Sequence, residues 1–396
     1  MQVTRRLAPK FYNLSKFRFS SPPNNDFFWK YRDLYHKHHN LENFMPKELK
    51  NAIDIKNYYN VPEDRMIKLT DPVSIESLNS TIFRPVWKIM LGPGKRYRAV
   101  YTLLLAKLLK VDWENDQKEF KLLMDIASLI ETIHIAQLVL DDISDGSEER
   151  RDVPCLHIQH SVGTALNAGL QCTYQSYRRF FELQPEAAQL CAKDYVESLA
   201  NLFMGQCMKE YKEDDRNLNF SQDAEMLTAG STAKLILNMI FKIYKGDPEV
   251  LEELILIHDK MFLIHQIKDD LSDMQKTQIT GAKGLIGEDI SNGKYTPMVI
   301  YSLKNADPAT SKRLYEILRS NTRDQVILNE AIDILYKCGG VKYAEDIMYK
   351  LYDEVQVTID GLKTKLDSKK YNLDAIEELR GYVYTLTQIY REAIDK

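Results

Sequence analysis

Apolar residues recur at three- and four-residue steps along almost the whole chain from Phe28 onward. The clearest run is 119–145, where Leu122, Leu123, Ile126, Leu129, Ile130 and Ile133 follow the helical period. Residues 97–110 (YRAVYTLLLAKLLK) read as a strongly apolar helix, and 28–40 as a polar, aromatic one. Further helical stretches fall at about 162–183, 186–210, 222–244, 248–273, 296–305, 309–320, 325–337, 341–364 and 373–393. Residues 41–80 are mixed and punctuated by Pro46, Pro62 and Pro72. Strand-like alternation is absent, and no repeat period or low-complexity tract appears. Connections this short suit antiparallel neighbours. The pattern predicts one all-α bundle spanning residues 28–396.

Composition agrees. With 16 Gly and 13 Pro in 396 residues, both breakers fall below their usual shares of about 7% and 5%. A turn-rich sandwich, a collagen and a disordered linker are disfavoured. A net charge of −4 gives no reason to expect a nucleic-acid partner. The five cysteines (Cys155, Cys172, Cys191, Cys207 and Cys338) are odd in number and lack CxxC spacing. They argue against a disulfide framework or zinc site and for a reducing compartment. No stretch reaches 18 uninterrupted apolar residues, because Lys107 breaks one run and His134 and Gln137 another. No transmembrane helix is expected. Residues 1–25 carry Arg5, Arg6, Lys10, Lys16 and Arg18 and no acid before Asp26. Residues 1–27 therefore read as a transit leader or a disordered basic one, with a mitochondrial or otherwise cytoplasmic address.

Two acidic clusters carry the chemistry. Asp141-Asp142-Ile143-Ser144-Asp145 closes the long apolar helix, and Asp269-Asp270-Leu271-Ser272-Asp273 closes another. In each, the first and last Asp are four residues apart on one face, where like charges cost a few tenths of a kcal/mol. A helix C-terminus disfavours negative charge as well. Something cationic should offset both clusters. Oxygen-only ligands suit Mg²⁺, which typically joins one or two carboxylates to substrate phosphates. Basic residues surround the clusters: Lys95 and Arg98 before the 97–110 helix, Arg150 and Arg151 after the first cluster, and Lys268, Lys283 and Lys294 around the second. A diphosphate held by metal ions, Arg and Lys needs this mixture.

Together these segments resemble the trans-isoprenyl diphosphate synthase family and its class I terpenoid synthase fold, a helical bundle around a central cavity. The resemblance is carried by Pro93-Gly94-Lys95-Arg96-Tyr97-Arg98, by Glu131 and His134, and by Asp141–Asp145 with Arg150-Arg151-Asp152-Val153-Pro154. It continues in Gly205-Gln206, His265-Gln266-Ile267-Lys268-Asp269-Asp270 to Asp273, Lys283-Gly284, Glu288-Asp289 and Gly293-Lys294-Tyr295-Thr296-Pro297. It implies three Mg²⁺ ions held by Asp141, Asp145 and Asp269, within a catalytic set that also includes Asp142, Asp270, Asp273, Arg150 and Arg151. It implies that Lys95, Arg98, His134 and Arg151 hold isopentenyl diphosphate. Arg150, Lys283 and Lys294 would hold an allylic prenyl diphosphate, with Thr232 and Gln266 also contacting substrate. The hydrocarbon tail would run past Ala136 and Gln137, about one turn below Asp141. A homodimer is usual in the family.

The chain departs from the family pattern where a Lys is expected on a middle helix and Ser231 stands instead, with Lys234 three residues on. His265 replaces a Phe, Asp152 a Gly and Ala99 a Pro. Three readings follow. The first is a short-chain prenyltransferase making geranyl, farnesyl or geranylgeranyl diphosphate. The second is a family-derived terpene synthase that ionises geranyl or farnesyl diphosphate without adding an isoprene unit. The third is a non-catalytic regulatory subunit, against which the intact aspartates argue.

Overall fold

The computed structural model describes residues 24–39, 94–150, 153–210, 226–274 and 286–394. Among these, fourteen α-helices form the protein, as the hydrophobic period predicts. They are α1 (Asp26–His38), α2 (Tyr97–Leu108), α3 (Gln117–Asp145), α4 (Leu156–Gln159), α5 (Val162–Phe181), α6 (Pro185–Glu210) and α7 (Ser231–Ile243). The second half contains α8 (Pro248–Asp273), α9 (Glu288–Ser291), α10 (Pro297–Asn305), α11 (Pro308–Ser320), α12 (Gln325–Lys337), α13 (Gly340–Lys365) and α14 (Asp374–Ile394).

Helix α3 is the axis of the bundle and packs against α2, α5 and α7. By length and composition it could cross a bilayer, yet 78% of its most apolar window is buried inside the protein. It is therefore a core helix, surrounded by other helices rather than lipid. Its ends are set locally. The Asp116 carboxylate caps the first turn, accepting from the Lys118 and Glu119 backbone N–H groups at 2.8 and 3.3 Å. At the other end Gly146 adopts φ 65°, a left-handed turn that stops the helix directly after Asp145. Helix α8 begins with Pro248 in its first turn, where no amide is lost, and packs along α13. Helix α1 lies on α2 and α14 and buries Phe28, Tyr31 and Tyr35.

Two local features differ from the sequence expectation. The helix expected at 222–244 is α7 preceded by a π-helical turn, Met226–Gly230, and residues 222–225 lie outside the described residues. The chain also contains a minimal antiparallel pair, β1 (Glu149–Arg150) with β2 (Val153–Pro154), in which Arg150 faces Val153. Two residues per strand are too few to show alternation. The leader up to residue 23, the mixed 41–80 segment, Arg151, Asp152 and Lys283 lie outside the described residues.

Candidate active site

The site grows from the ends of α3 and α8. Asp142 is 2% exposed and accepts the fork of Arg150, from Nε at 2.9 Å and also from Nη2. The β1–β2 pair folds Arg150 back over the end of α3 for this purpose. Asp145 accepts from Lys294 Nζ at 2.9 Å, and the same ammonium pairs with Asp289 at 3.0 Å. The Asp289 backbone N–H in turn donates to Asp273 at 3.0 Å. Lys294 and Asp289 together thus join the two acidic helix ends.

The charges there are crowded. Burial raises the Asp145 carboxyl above its ordinary value; Lys294 opposes the rise and the neighbouring Asp141 charge adds to it. Burial also works against the Lys294 charge, but Asp289 and Asp145 outweigh it and hold the ammonium well above its usual range. Asp141 and Asp145 form an oxygen-only donor pair, one turn apart and partly accessible, with more negative charge than Lys294 neutralises. That set fits a hard divalent cation.

On α8 the three aspartates have different surroundings. Asp269 is 55% exposed, with His265 Nδ1 at 3.2 Å. Asp270 is buried and accepts from Gln266 Nε2 at 3.0 Å, and Asp273 is buried under Asp289. Gln266 is therefore turned along its own helix. Of the six aspartates, Asp142, Asp270 and Asp273 are buried, while Asp141, Asp145 and Asp269 keep partial or greater exposure. Lys268 is buried and donates to the Leu386 carbonyl of α14 at 3.1 Å. Burial pulls its pKa down to about 8, with Asp269 opposing and Lys95 adding to the fall.

A cationic wall stands at the start of α2. Lys95 is exposed, 5.9 Å from the Tyr97 ring centre. Arg98 donates from Nε to Thr232 Oγ1 at 3.1 Å, so the threonine orients the guanidinium. His134 lies partly buried on α3. Between the two cations, Arg96 turns inward and pairs with Glu131 at 2.9 Å. The missing lysine of α7 is not replaced. Ser231 donates back to the Leu227 carbonyl at 2.6 Å, and Lys234 is paired with Asp259 at 2.9 Å.

Below Asp141, Ala136 is buried where α3 meets α5. A Cβ on Gly169 of α5 would lie 2.8 Å from the Leu140 side chain and 3.5 Å from the Ala136 carbonyl, so α5 passes close to α3 here. Gln137 Oε1 is buried and has no hydrogen-bond partner among the described residues. The sequence reading gave no role to Arg96 or Asp289. The only signal available for them was their position inside the quoted motifs.

The profile of the polyprenyl synthetase family matches residues 79–335, more than half of the chain. The chain belongs to the polyprenyl synthetase family. It is thus an enzyme of the prenyltransferase class with the all-α class I isoprenoid synthase fold. A geranylgeranyl pyrophosphate synthase of Emericella nidulans is 26% identical over 329 residues, covering 82% of this chain and 79% of the relative. A terpene synthase of Matsumurasca onukii is 23% identical over 288 residues, covering 72% and 90%. A geranylgeranyl pyrophosphate synthase from Corynebacterium glutamicum, solved with isoprenyl diphosphate and magnesium, superposes with a TM-score of 0.69. It is 16% identical, and the match covers 92% of this chain and 99% of that one.

Proposed function

We propose that this polyprenyl synthetase is a magnesium-dependent short-chain prenyltransferase that joins an allylic prenyl diphosphate to isopentenyl diphosphate. The observation that carries the reading is the presence of two kinds of subsite, one acidic with a bridging lysine and one basic. At one, Lys294 pairs with Asp145 at the end of α3 and with Asp289, which reaches Asp273 at the end of α8; with Asp141 and Asp269 this would suit a metal-bound diphosphate. At the other, Lys95 and Arg98 at the start of α2, with His134 of α3, would suit a metal-free one. A single-substrate enzyme needs only the first. The geranylgeranyl synthase relatives support the same reading.

Asp141, Asp145 and Asp269 would hold the ions, three by our assignment, and bound Mg²⁺ would stabilise the charge growing on the departing diphosphate. Lys294, which pairs with Asp145 and Asp289, would meet that diphosphate as it leaves. Arg150 and Lys283 complete the cations proposed for it, and Arg151 joins those proposed for isopentenyl diphosphate. Arg98, oriented by Thr232, and Lys95 would fix isopentenyl diphosphate so that its alkene meets the allylic carbon. The C–O bond of the allylic substrate breaks, the new C–C bond forms, and a proton then leaves the condensed cation. The released diphosphate is the base within reach.

The outer face of α5 supports a homodimer. Val162, Leu166, Leu170, Tyr174, Tyr177 and Phe181 are 37–71% exposed along it. No Asp, Glu, Lys or Arg occurs from residue 153 to 177. An uncharged apolar helix face of this length suits self-pairing about a two-fold axis.

A second reading is favoured by particular residues. Ser231 offers no cation, Lys234 is spent on Asp259, and Gln137 places an unpaired oxygen below the metal-ligand helix end. A terpene synthase that ionises one prenyl diphosphate would tolerate all three. Turnover with and without isopentenyl diphosphate separates the readings. Elongation requires both substrates, whereas a terpene product forms from the allylic one alone.

A further inference from the structure

We infer that Arg96 is a positioning residue for the metal-free diphosphate, acting through its neighbours Lys95 and Arg98. This rests on the elongation reading above and identifies what holds that subsite's cations in place. Lys95, Arg96 and Arg98 belong to one short segment, yet the structure sends them to three surroundings. Lys95 is exposed, Arg98 reaches across to Thr232 of α7, and Arg96 is 3% exposed.

The backbone explains the division. Arg96 adopts φ 52° and ψ 38°, the left-handed conformation that a Cβ disfavours, at the residue that opens α2. That turn directs its side chain into the bundle, where Nη1 meets Glu131 Oε2 at 2.9 Å with both side chains almost fully buried. Glu131 is three residues before His134 on α3. The pair therefore fixes the α2 entry to the same turn of α3 that carries His134, the third proposed residue of the subsite.

Helix α1 closes the other side. Tyr35 is fully buried, and burial raises its phenol pKa, with Glu131 adding to the rise and Arg96 opposing it. His36 Nε2 lies 3.4 Å from the Gly94 carbonyl. The Gly94–Arg96 segment is thus gripped by α3 and α1 while Lys95 stays outside. A guanidinium has a planar, directional fork, so it can specify this backbone placement where a flexible ammonium cannot.

The test replaces the buried pair by apolar residues, Arg96→Met with Glu131→Leu, a change that leaves comparable cores folded. Arg96→Lys is the companion, keeping charge but not the fork. Two ligands are titrated by calorimetry: isopentenyl diphosphate without metal, and a non-hydrolysable allylic thiodiphosphate with Mg²⁺. Both variants should bind isopentenyl diphosphate at least tenfold more weakly and the allylic analogue within twofold of the parent. Unchanged isopentenyl diphosphate affinity in either variant overturns the inference, as does an equal weakening of both ligands, which marks a general loss of structure. A parent protein that binds the allylic analogue but not isopentenyl diphosphate overturns the elongation reading itself, and the inference with it.

Discussion

Replacing Asp142 by Asn removes one charge from the first acidic cluster without changing its volume. In the structure that carboxylate is 2% exposed and holds the Arg150 fork. Removing one member of a buried ion pair costs about 3–5 kcal/mol. The Arg150 side chain is 29% exposed and can turn to water, so about 3 kcal/mol is expected. Asp145→Asn, three residues on, has a different outcome. It breaks the contact with Lys294, whose side chain is 38% exposed and keeps Asp289 as a partner. It also relieves repulsion by Asp141. The net stability change should stay below about 1 kcal/mol. Turnover should nevertheless fall by roughly a thousandfold, corresponding to about 4 kcal/mol of lost charge stabilisation on the leaving group. Urea unfolding followed by circular dichroism measures the first quantity, and Mg²⁺-dependent product formation measures the second. Equal destabilisation by the two substitutions, or full turnover in Asp145→Asn, would refute the division of the cluster into one fully buried and two partly exposed carboxylates.

Ser231→Lys should restore a cation to α7 and tighten the allylic diphosphate about tenfold, the worth of one charge-assisted hydrogen bond. An unchanged KM would show that the side chain of residue 231 does not reach the substrate. His258 is buried against Tyr101 and Phe262, and burial lowers its pKa below 6.5 despite the opposing pull of Asp259. The unfolded chain takes up a proton near pH 6.5 that the folded chain resists, so the stability present above that pH is lost as the pH falls through it. Urea midpoints at about pH 7.5 and 5.5 should therefore differ less in His258→Phe than in the parent; equal differences would exclude His258 as a source. On the α5 face, Leu166→Glu with Tyr174→Glu should convert the proposed dimer to a monomer in analytical ultracentrifugation, and a persisting dimer would place the interface elsewhere.

Most of the scaffold could be read from the chain because its helices are long and their apolar residues keep one period. The 119–145 pattern appears as Gln117–Asp145 and the 248–273 pattern as Pro248–Asp273, so both acidic clusters fall at helix ends as expected. What the pattern could not supply is direction. Asp141 and Asp142 are adjacent and chemically identical, and only the β1–β2 pair, which returns Arg150 to the helix, separates a buried anchor from an accessible ligand. Arg96 and Arg98 likewise look equivalent until the left-handed turn at Arg96 sends one inward. The same limit applies at Ser231. Its sequence shows a missing lysine, but only the contacts show that Ser231 is turned onto Leu227 and that Lys234 is engaged by Asp259.

The most direct measurement of the central claim is product analysis with purified chain, Mg²⁺ and dimethylallyl, geranyl or farnesyl diphosphate, each with and without isopentenyl diphosphate. Volatile products and dephosphorylated alcohols are read by mass spectrometry. The account predicts longer prenyl diphosphates that appear only when isopentenyl diphosphate is present. A hydrocarbon or terpene alcohol formed from one allylic substrate, at a rate indifferent to isopentenyl diphosphate, would contradict it.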